Sequence, residues 1–218
     1  RMLVNIRGIT NVDDARCVEQ AGADFLGCIF VPQSKRCVTS DQAKQIISSL
    51  KGKVTAVGVF ADQPENEVCE VVRHVGLPLV QLHGKEEPAY VNRLAGELPE
   101  CRFLKAFGFT GKACLDAMLT FYDRLADRNR LFAFLLDGPW GGGQGRPFDW
   151  SELAAVINET RYATIKEKLF LAGGLDSQNV QTAVRMVRPL GVDVASGVER
   201  GPGRKDPEKV RTFITLAK

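Results

Sequence analysis

Eight times along this chain a short, nearly unbroken apolar run is followed by the start signal of a helix. The runs are Leu3–Arg7, Phe25–Phe30, Val54–Phe60, Leu79–Leu82, Cys101–Ala106, Leu131–Leu136, Leu169–Leu171 and Val192–Ala195. A strand with one wet face alternates apolar and polar residues, whereas a strand covered on both faces does not. These runs hardly alternate, so each reads as a doubly buried strand. A helix between successive strands makes the sheet parallel. Eight units of about 27 residues predict an α/β protein, a single (β/α)8 TIM barrel domain over residues 1–218. An open, doubly wound sheet is the competing architecture, because alternation of elements does not by itself close a barrel.

The helix starts carry their own chemistry. Asn11-Val12-Asp13-Asp14 offers a cap and first-turn acids, with Gly22 as the stop. Ser40-Asp41, Pro64-Glu65, Glu87-Pro88 and Asp206-Pro207-Glu208 open further helices, and Asp176-Ser177 is expected to cap one running to about Met186. Short polar side chains accept otherwise unpaired N–H groups there, and acids favour the positive end of the helix dipole.

Composition excludes several functions. A net charge of +3 gives no electrostatic case for nucleic acid or an anionic membrane. Runs such as Leu131–Leu136 are far too short to cross a bilayer. The first residues pass directly into a strand pattern, so no leader is expected. Six cysteines form no C-x-x-C pair and only two histidines are present, so no zinc site is expected. Reduced thiols in a cytoplasmic protein are the expectation.

In a barrel of this kind the loops after the strands form the active face, so chemistry belongs at the strand ends. Strand six ends in Asp137, a carboxylate placed for acid–base work or for anchoring its own loop. The glycine-rich stretch from Gly138 to Arg146 suits a lid. Strand seven ends in Gly173-Gly174 and strand eight in Ser196-Gly197. Glycine there lets backbone N–H groups close on an anion, so the pair predicts a phosphate cradle. Gln81 and His83 share one side of strand four, where His83 would bond a substrate or neighbouring backbone. Arg36, after strand two, reads as a solvated loop charge or as a cation suited to bidentate binding of a carboxylate. Asp193 is an acid within the apolar run of strand eight. It reads either as a satisfied interior group or as a ligand to substrate hydroxyls.

Taken in order, these segments resemble phosphoribosylanthranilate isomerase over essentially the whole chain. The matching residues include Gly8-Ile9-Thr10, Ser34 with Arg36, Val57-Gly58-Val59-Phe60, Gln81-Leu82-His83-Gly84 and Leu136-Asp137. Gly142-Gly143-Gln144-Gly145, Ala172-Gly173-Gly174-Leu175 and Asp193-Val194-Ala195-Ser196-Gly197-Val198-Glu199 complete the series. The resemblance implies a small-molecule phosphosugar substrate, no cofactor, a monomer or homodimer, and an Amadori rearrangement in tryptophan biosynthesis. It implies that Asp137 is the acid that opens the furanose ring and that Arg36 binds the anthranilate carboxylate. Gly173, Gly174, Ser196 and Gly197 would hold the phosphate, with Gln81, His83 and Asp193 among the substrate-binding residues.

One position departs from the resemblance. The family's first strand usually ends Lys-Ile-Cys-Gly, its cysteine removing the C2 proton, and here it reads Asn5-Ile6-Arg7-Gly8. A guanidinium stays protonated and cannot accept that proton at neutral pH. Asp137 acting in turn as acid and base would circumvent the change, and Cys28 is a conceivable substitute thiol. The alternatives are a divergent phosphosugar binder that turns over poorly, or an engineered variant of an ordinary enzyme. A barrel recruited to the related histidine-pathway isomerisation is a further alternative. Its substrate carries two phosphates, and one cradle is evident.

Overall fold

The computed structural model describes residues 1–139 and 147–218. Its eight parallel strands close into a barrel in sequence order, each hydrogen-bonded to its chain neighbours and the last to the first. They are β1 (Leu3–Arg7), β2 (Phe25–Ile29), β3 (Thr55–Phe60), β4 (Leu79–Leu82), β5 (Arg102–Gly108), β6 (Leu131–Asp137), β7 (Leu169–Leu171) and β8 (Gly191–Val194). The open-sheet alternative is excluded by the β1–β8 pairing, which runs from Leu3 opposite Gly191 to Ile6 opposite Val194. The outer ring comprises α1 (Val12–Gln20), α2 (Ser40–Ser48), α3 (Glu65–Val75), α4 (Pro88–Glu97), α5 (Lys112–Asp123), α6 (Trp150–Ile157), α7 (Ala163–Glu167), α8 (Val180–Val187) and α9 (Pro207–Ala217).

Two apolar layers hold the barrel. Outward-facing strand residues such as Val4, Ile6, Leu26, Val80 and Val192 pack against the helices in the larger cluster. Inward-facing Val57, Leu79, Leu104, Leu135 and Phe170 fill the barrel itself. Phe25, Phe132 and Phe170 meet edge-on near the N-terminal ends of the strands, with Phe25–Phe132 centroids 5.4 Å apart. Aromatic contacts of this kind pack that end of the barrel.

The cap chemistry accounts for most helix boundaries. Asn11 accepts the Asp14 N–H, Thr39 and Gln42 form a reciprocal capping box, and Asp206 accepts from Glu208 and Lys209. Gly76, in the left-handed conformation, ends α3. One start differs from expectation. Asp176 closes a turn on the Gln178 and Asn179 N–H groups, and α8 begins only at Val180. An Asp that can bond either a turn or a helix end gives the same sequence signal for both. Two features carried no sequence expectation. One is the short helix α7 ahead of β7, and the other is a small antiparallel pair, β9 (Glu199–Gly201) with β10 (Arg204–Lys205), beyond β8.

Candidate active site

The inward-pointing side chains change character as the strands rise. β1 runs Leu3, Asn5, Arg7, and β4 runs Leu79, Gln81 and then His83 beyond its end. β6 runs Ala133, Leu135, Asp137, while β8 contributes Asp193. The period of two along a strand puts each set on one face. The lower barrel is therefore apolar, and the upper barrel holds a polar cluster just beneath the mouth.

Arg7 is the hub of that cluster. Its Nη2 lies 3.0 Å from Asp193 Oδ2 and 3.8 Å from Asp137 Oδ2, and its Nη1 is 3.2 Å from His83 Nδ1. Asn5 Nδ2 donates to Asp193 Oδ1 at 2.6 Å. Gln81 Nε2 lies 2.9 Å from His83 Nδ1. Guanidinium has donors only, so His83 Nδ1 accepts. The neutral ring then carries its proton on Nε2, which faces Asp137 Oδ2 at 3.5 Å. The Gly138 N–H donates to Asp137 Oδ1 at 2.7 Å.

The two acids are driven in opposite directions. Burial by itself would raise the Asp137 pKa. The bond from His83, the Arg7 charge and the Gly138 N–H outweigh it and hold the carboxyl below its usual range. Asp193 has no exposed side-chain surface; burial dominates and pushes it up, against the opposing pull of Arg7. Asp193 thus sits beneath Arg7 as an interior group. Gln81 is likewise fully buried and faces the mouth through His83.

Arg36 lies on the other side of Arg7. Its Nε donates to Glu199 Oε1 at 2.5 Å and its Nη2 to Glu199 Oε2 at 3.3 Å. Arg7, Arg36, Ser34, His83, Ile29, Val31, Val59, Ala61 and Ala195 line a cavity of about 150 Å³. It has apolar walls and two guanidinium groups. A second cavity, of about 310 Å³, opens between the ends of β4, β5 and β6 and includes His83, Lys105, Asp137 and Gly138. His83 lines both spaces, and Asp137 lines the second.

The two glycine loops expected to cradle an anion touch each other. Gly173 and Gly174 both have positive φ, 86° and 66°, after β7. Ser196–Val198 make one tight 3-10 turn after β8. A Cβ on Gly173 would stand 2.8 Å from Gly138 N and 2.9 Å from Asp137 Oδ1. A Cβ on Gly197 would land on the carbonyl oxygen of Leu175. Gly197→Ala is expected to push the two loops apart, cost about 1–3 kcal/mol of stability and weaken binding of a phosphorylated ligand. Thermal melts and calorimetry check both effects.

Cys28 does not join the site. It is fully buried in the layer between barrel and helices, and burial pushes its thiol up to about 12. A thiol so rarely ionised and facing away from the mouth cannot replace a catalytic base. All six cysteines are unpaired. His74 lies at the surface against Asp41. The proposed lid falls largely on residues 140–146, outside the described residues.

A family profile described as N-(5'phosphoribosyl)anthranilate (PRA) isomerase matches residues 4–216. The chain belongs to the phosphoribosylanthranilate isomerase family. A relative of that name from Pelobacter propionicus is 40% identical over 99% of this chain and 95% of its own length. Another, from Trichlorobacter lovleyi, is 41% identical over 99% of this chain and 97% of its own. Among solved structures, phosphoribosyl anthranilate isomerase from Thermotoga maritima superposes with a TM-score of 0.86 at 35% identity, covering 100% of this chain and 98% of that one. A phosphoribosyl anthranilate isomerase in complex with reduced 1-(o-carboxyphenylamino)-1-deoxyribulose 5-phosphate gives 0.83 at 34% identity, covering 100% and 98%. Triosephosphate isomerase from Bartonella henselae shares the fold alone, with a TM-score of 0.64 at 13% identity. The family is one of enzymes, and its barrel is the one described above.

Sequence reasoning passed over two buried lysines. Lys105 Nζ bonds the Gly84 carbonyl at 2.7 Å and pairs with Glu86 at 3.2 Å. Lys205 Nζ bonds the Arg7 and Ala195 carbonyls at 2.7 and 2.9 Å and pairs with Glu199 at 3.3 Å. The signal for Lys105 was present, a cation inside the apolar run Phe103-Leu104-Lys105-Ala106. Lys205 lies in the charged run Arg204-Lys205-Asp206 and gave none.

Proposed function

We propose that this chain, as one barrel domain in the cytoplasm, converts N-(5-phosphoribosyl)anthranilate to 1-(2-carboxyphenylamino)-1-deoxyribulose 5-phosphate in tryptophan biosynthesis. The observation that carries the reading is the position of Asp137. Its carboxylate lies 3.8 Å from Arg7 and 3.5 Å from His83, which line the cationic cavity with apolar walls suited to an aryl carboxylate, and it stands against Gly173 of a glycine cradle suited to a phosphate. Arg36 takes the anthranilate carboxylate, and the N–H groups around Gly173, Gly174, Ser196 and Gly197 take the phosphate.

Asp137 in its acid form protonates the furanose oxygen. The C1–O bond breaks and the nitrogen lone pair forms the C1=N iminium. A base then removes the C2 proton; the C2–H electrons form C1=C2 and the C1=N pair returns to nitrogen, giving the enolamine, which takes a proton at C1 and loses its C2 hydroxyl proton to become the ketone. Arg7 stands where the family's base stands and cannot accept that proton. Asp137, a carboxylate once it has given up its own proton, is the acceptor at the mouth and serves both steps. Turnover is slow for two reasons. One group does two tasks, and Arg7 and His83 keep its acid form scarce. His83 faces the carboxylate with its Nε2 at 3.5 Å, while Gln81 and Asp193 set the orientation of His83 and Arg7.

Binding without turnover is the second reading, and Arg7 itself favours it. Loss of anthranilate-type fluorescence on mixing the chain with phosphoribosylanthranilate tests the first. Measurable turnover above the uncatalysed rate is expected. Calorimetry with the reduced product analogue tests binding separately. Binding without any turnover supports the second reading, and neither binding nor turnover removes both.

A further inference from the structure

We propose that Glu199, backed by Lys205, is a positioning residue that fixes Arg36 for the substrate carboxylate and so sets the preference for a carboxylated aryl group. The inference rests on the assignment of Arg36 to that carboxylate.

The geometry is directional. A guanidinium has five N–H donors, and Glu199 takes the Nε–H and one Nη2–H. The opposite edge, carrying Nη1 and the second Nη2–H, remains for a planar carboxylate in the cavity that Arg36 lines. Glu199 is itself held still. Its Oε2 accepts the Gly203 N–H at 2.9 Å and its Oε1 faces Lys205 Nζ at 3.3 Å. The Lys205 ammonium is fully buried and also bonds the carbonyls that end β1 and follow β8. The β9–β10 pair places Glu199 opposite Lys205. From the other side, the Arg36 stem lies against Gly8, where an added Cβ would come 2.5 Å from Arg36 Cδ. Little freedom is left to the side chain once both walls are in place. Its rotamer entropy is spent on folding, not on binding.

The charges separate orientation from simple attraction. Arg36, Glu199 and Lys205 together carry one net positive charge. Burial already lowers the Lys205 pKa to about 8. Loss of the Glu199 charge would release the lysine's proton, and the net charge would stay near one. Glu199→Gln therefore changes mainly the aim of Arg36.

The test compares two probes by calorimetry on the full chain. They are reduced 1-(o-carboxyphenylamino)-1-deoxyribulose 5-phosphate and its counterpart without the carboxylate. The unmodified chain should prefer the carboxylated probe. Glu199→Gln should lose about tenfold on that probe and leave the other unchanged. Glu199→Asp, which keeps the charge for Lys205 but shortens the reach to Arg36, should fall between, and circular dichroism confirms that each variant folds. Equal weakening of both probes, no change in either, or tighter binding of the carboxylated probe overturns the proposal. Should the unmodified chain show no preference, or Arg36→Met keep it, the Arg36 assignment fails and the inference falls with it. A preference lost in Arg36→Met but kept in both Glu199 variants sinks the inference alone.

Discussion

Arg7→Cys is expected to raise the turnover of phosphoribosylanthranilate by about 10²–10⁴, the usual contribution of a positioned general base. Two changes act together. A thiol that can ionise replaces a group that never accepts a proton at neutral pH. The Asp137 carboxyl loses one of the charges that hold it low, so its pKa rises and more of the acid form exists at pH 7. Ring opening needs that acid form, and the rate falls as it is lost with rising pH. The alkaline limb of kcat should therefore move to higher pH in the variant. The substitution also strips Asp193 of its cation. That acid is already pushed up by burial, and it would rise further. A carboxyl whose folded pKa lies above its unfolded value stabilises fully below the unfolded value, and loses that contribution as pH rises through the folded one. The variant should consequently melt below the parent by a margin that widens with pH. Stopped-flow fluorescence and pH-dependent melts read the two effects. Unchanged turnover would remove Arg7 as the limiting feature.

Much of the barrel was legible because its signals are local. The strands are continuous apolar runs, and their doubly buried environment leaves no other reading of that pattern. The strand-end placement of Asp137, Gly173 and Gly197 was legible for a related reason, since each lies at or just past the end of a buried apolar run. Closure was not legible, because it depends on Leu3 pairing with Gly191 across the length of the chain. The delayed start of α8 was hidden by the double use of Asp176, and the Glu199–Arg36 brace by a separation of 163 residues. Partnership across such a distance leaves no periodicity to read. The direction of Arg7 lay between these cases. Alternation put it on the side of Asn5, but only the fold shows both side chains meeting Asp193.

Asp137→Asn should abolish turnover in the parent chain and cost about 10²–10⁴ in an Arg7→Cys background, where a separate base exists. The change is nearly isosteric, and Asn Oδ1 can still accept the Gly138 N–H. Its amide instead presents a donor to His83 Nε2, which already carries the ring proton. Turning the imidazole tautomer around would relieve that clash but point an N–H at Arg7 Nη1, which has no acceptor to offer. The Gln81 amide could rotate to accept, since its Oε1 has no partner, but the guanidinium could not. In the parent the substitution therefore removes the acid and displaces the histidine that held it. The same carboxylate is also the only base assigned there, so both proton transfers fail. Calorimetry should show the reduced product analogue still bound, since its carboxylate and phosphate contacts lie elsewhere. The decisive comparison is the ratio of the two losses. If Asp137 alternates between acid and base in the parent, the loss there exceeds the loss in the Arg7→Cys background. Residual parental turnover that survives Asp137→Asn would mean that some other group accepts the C2 proton, and the two-step role of Asp137 would be wrong.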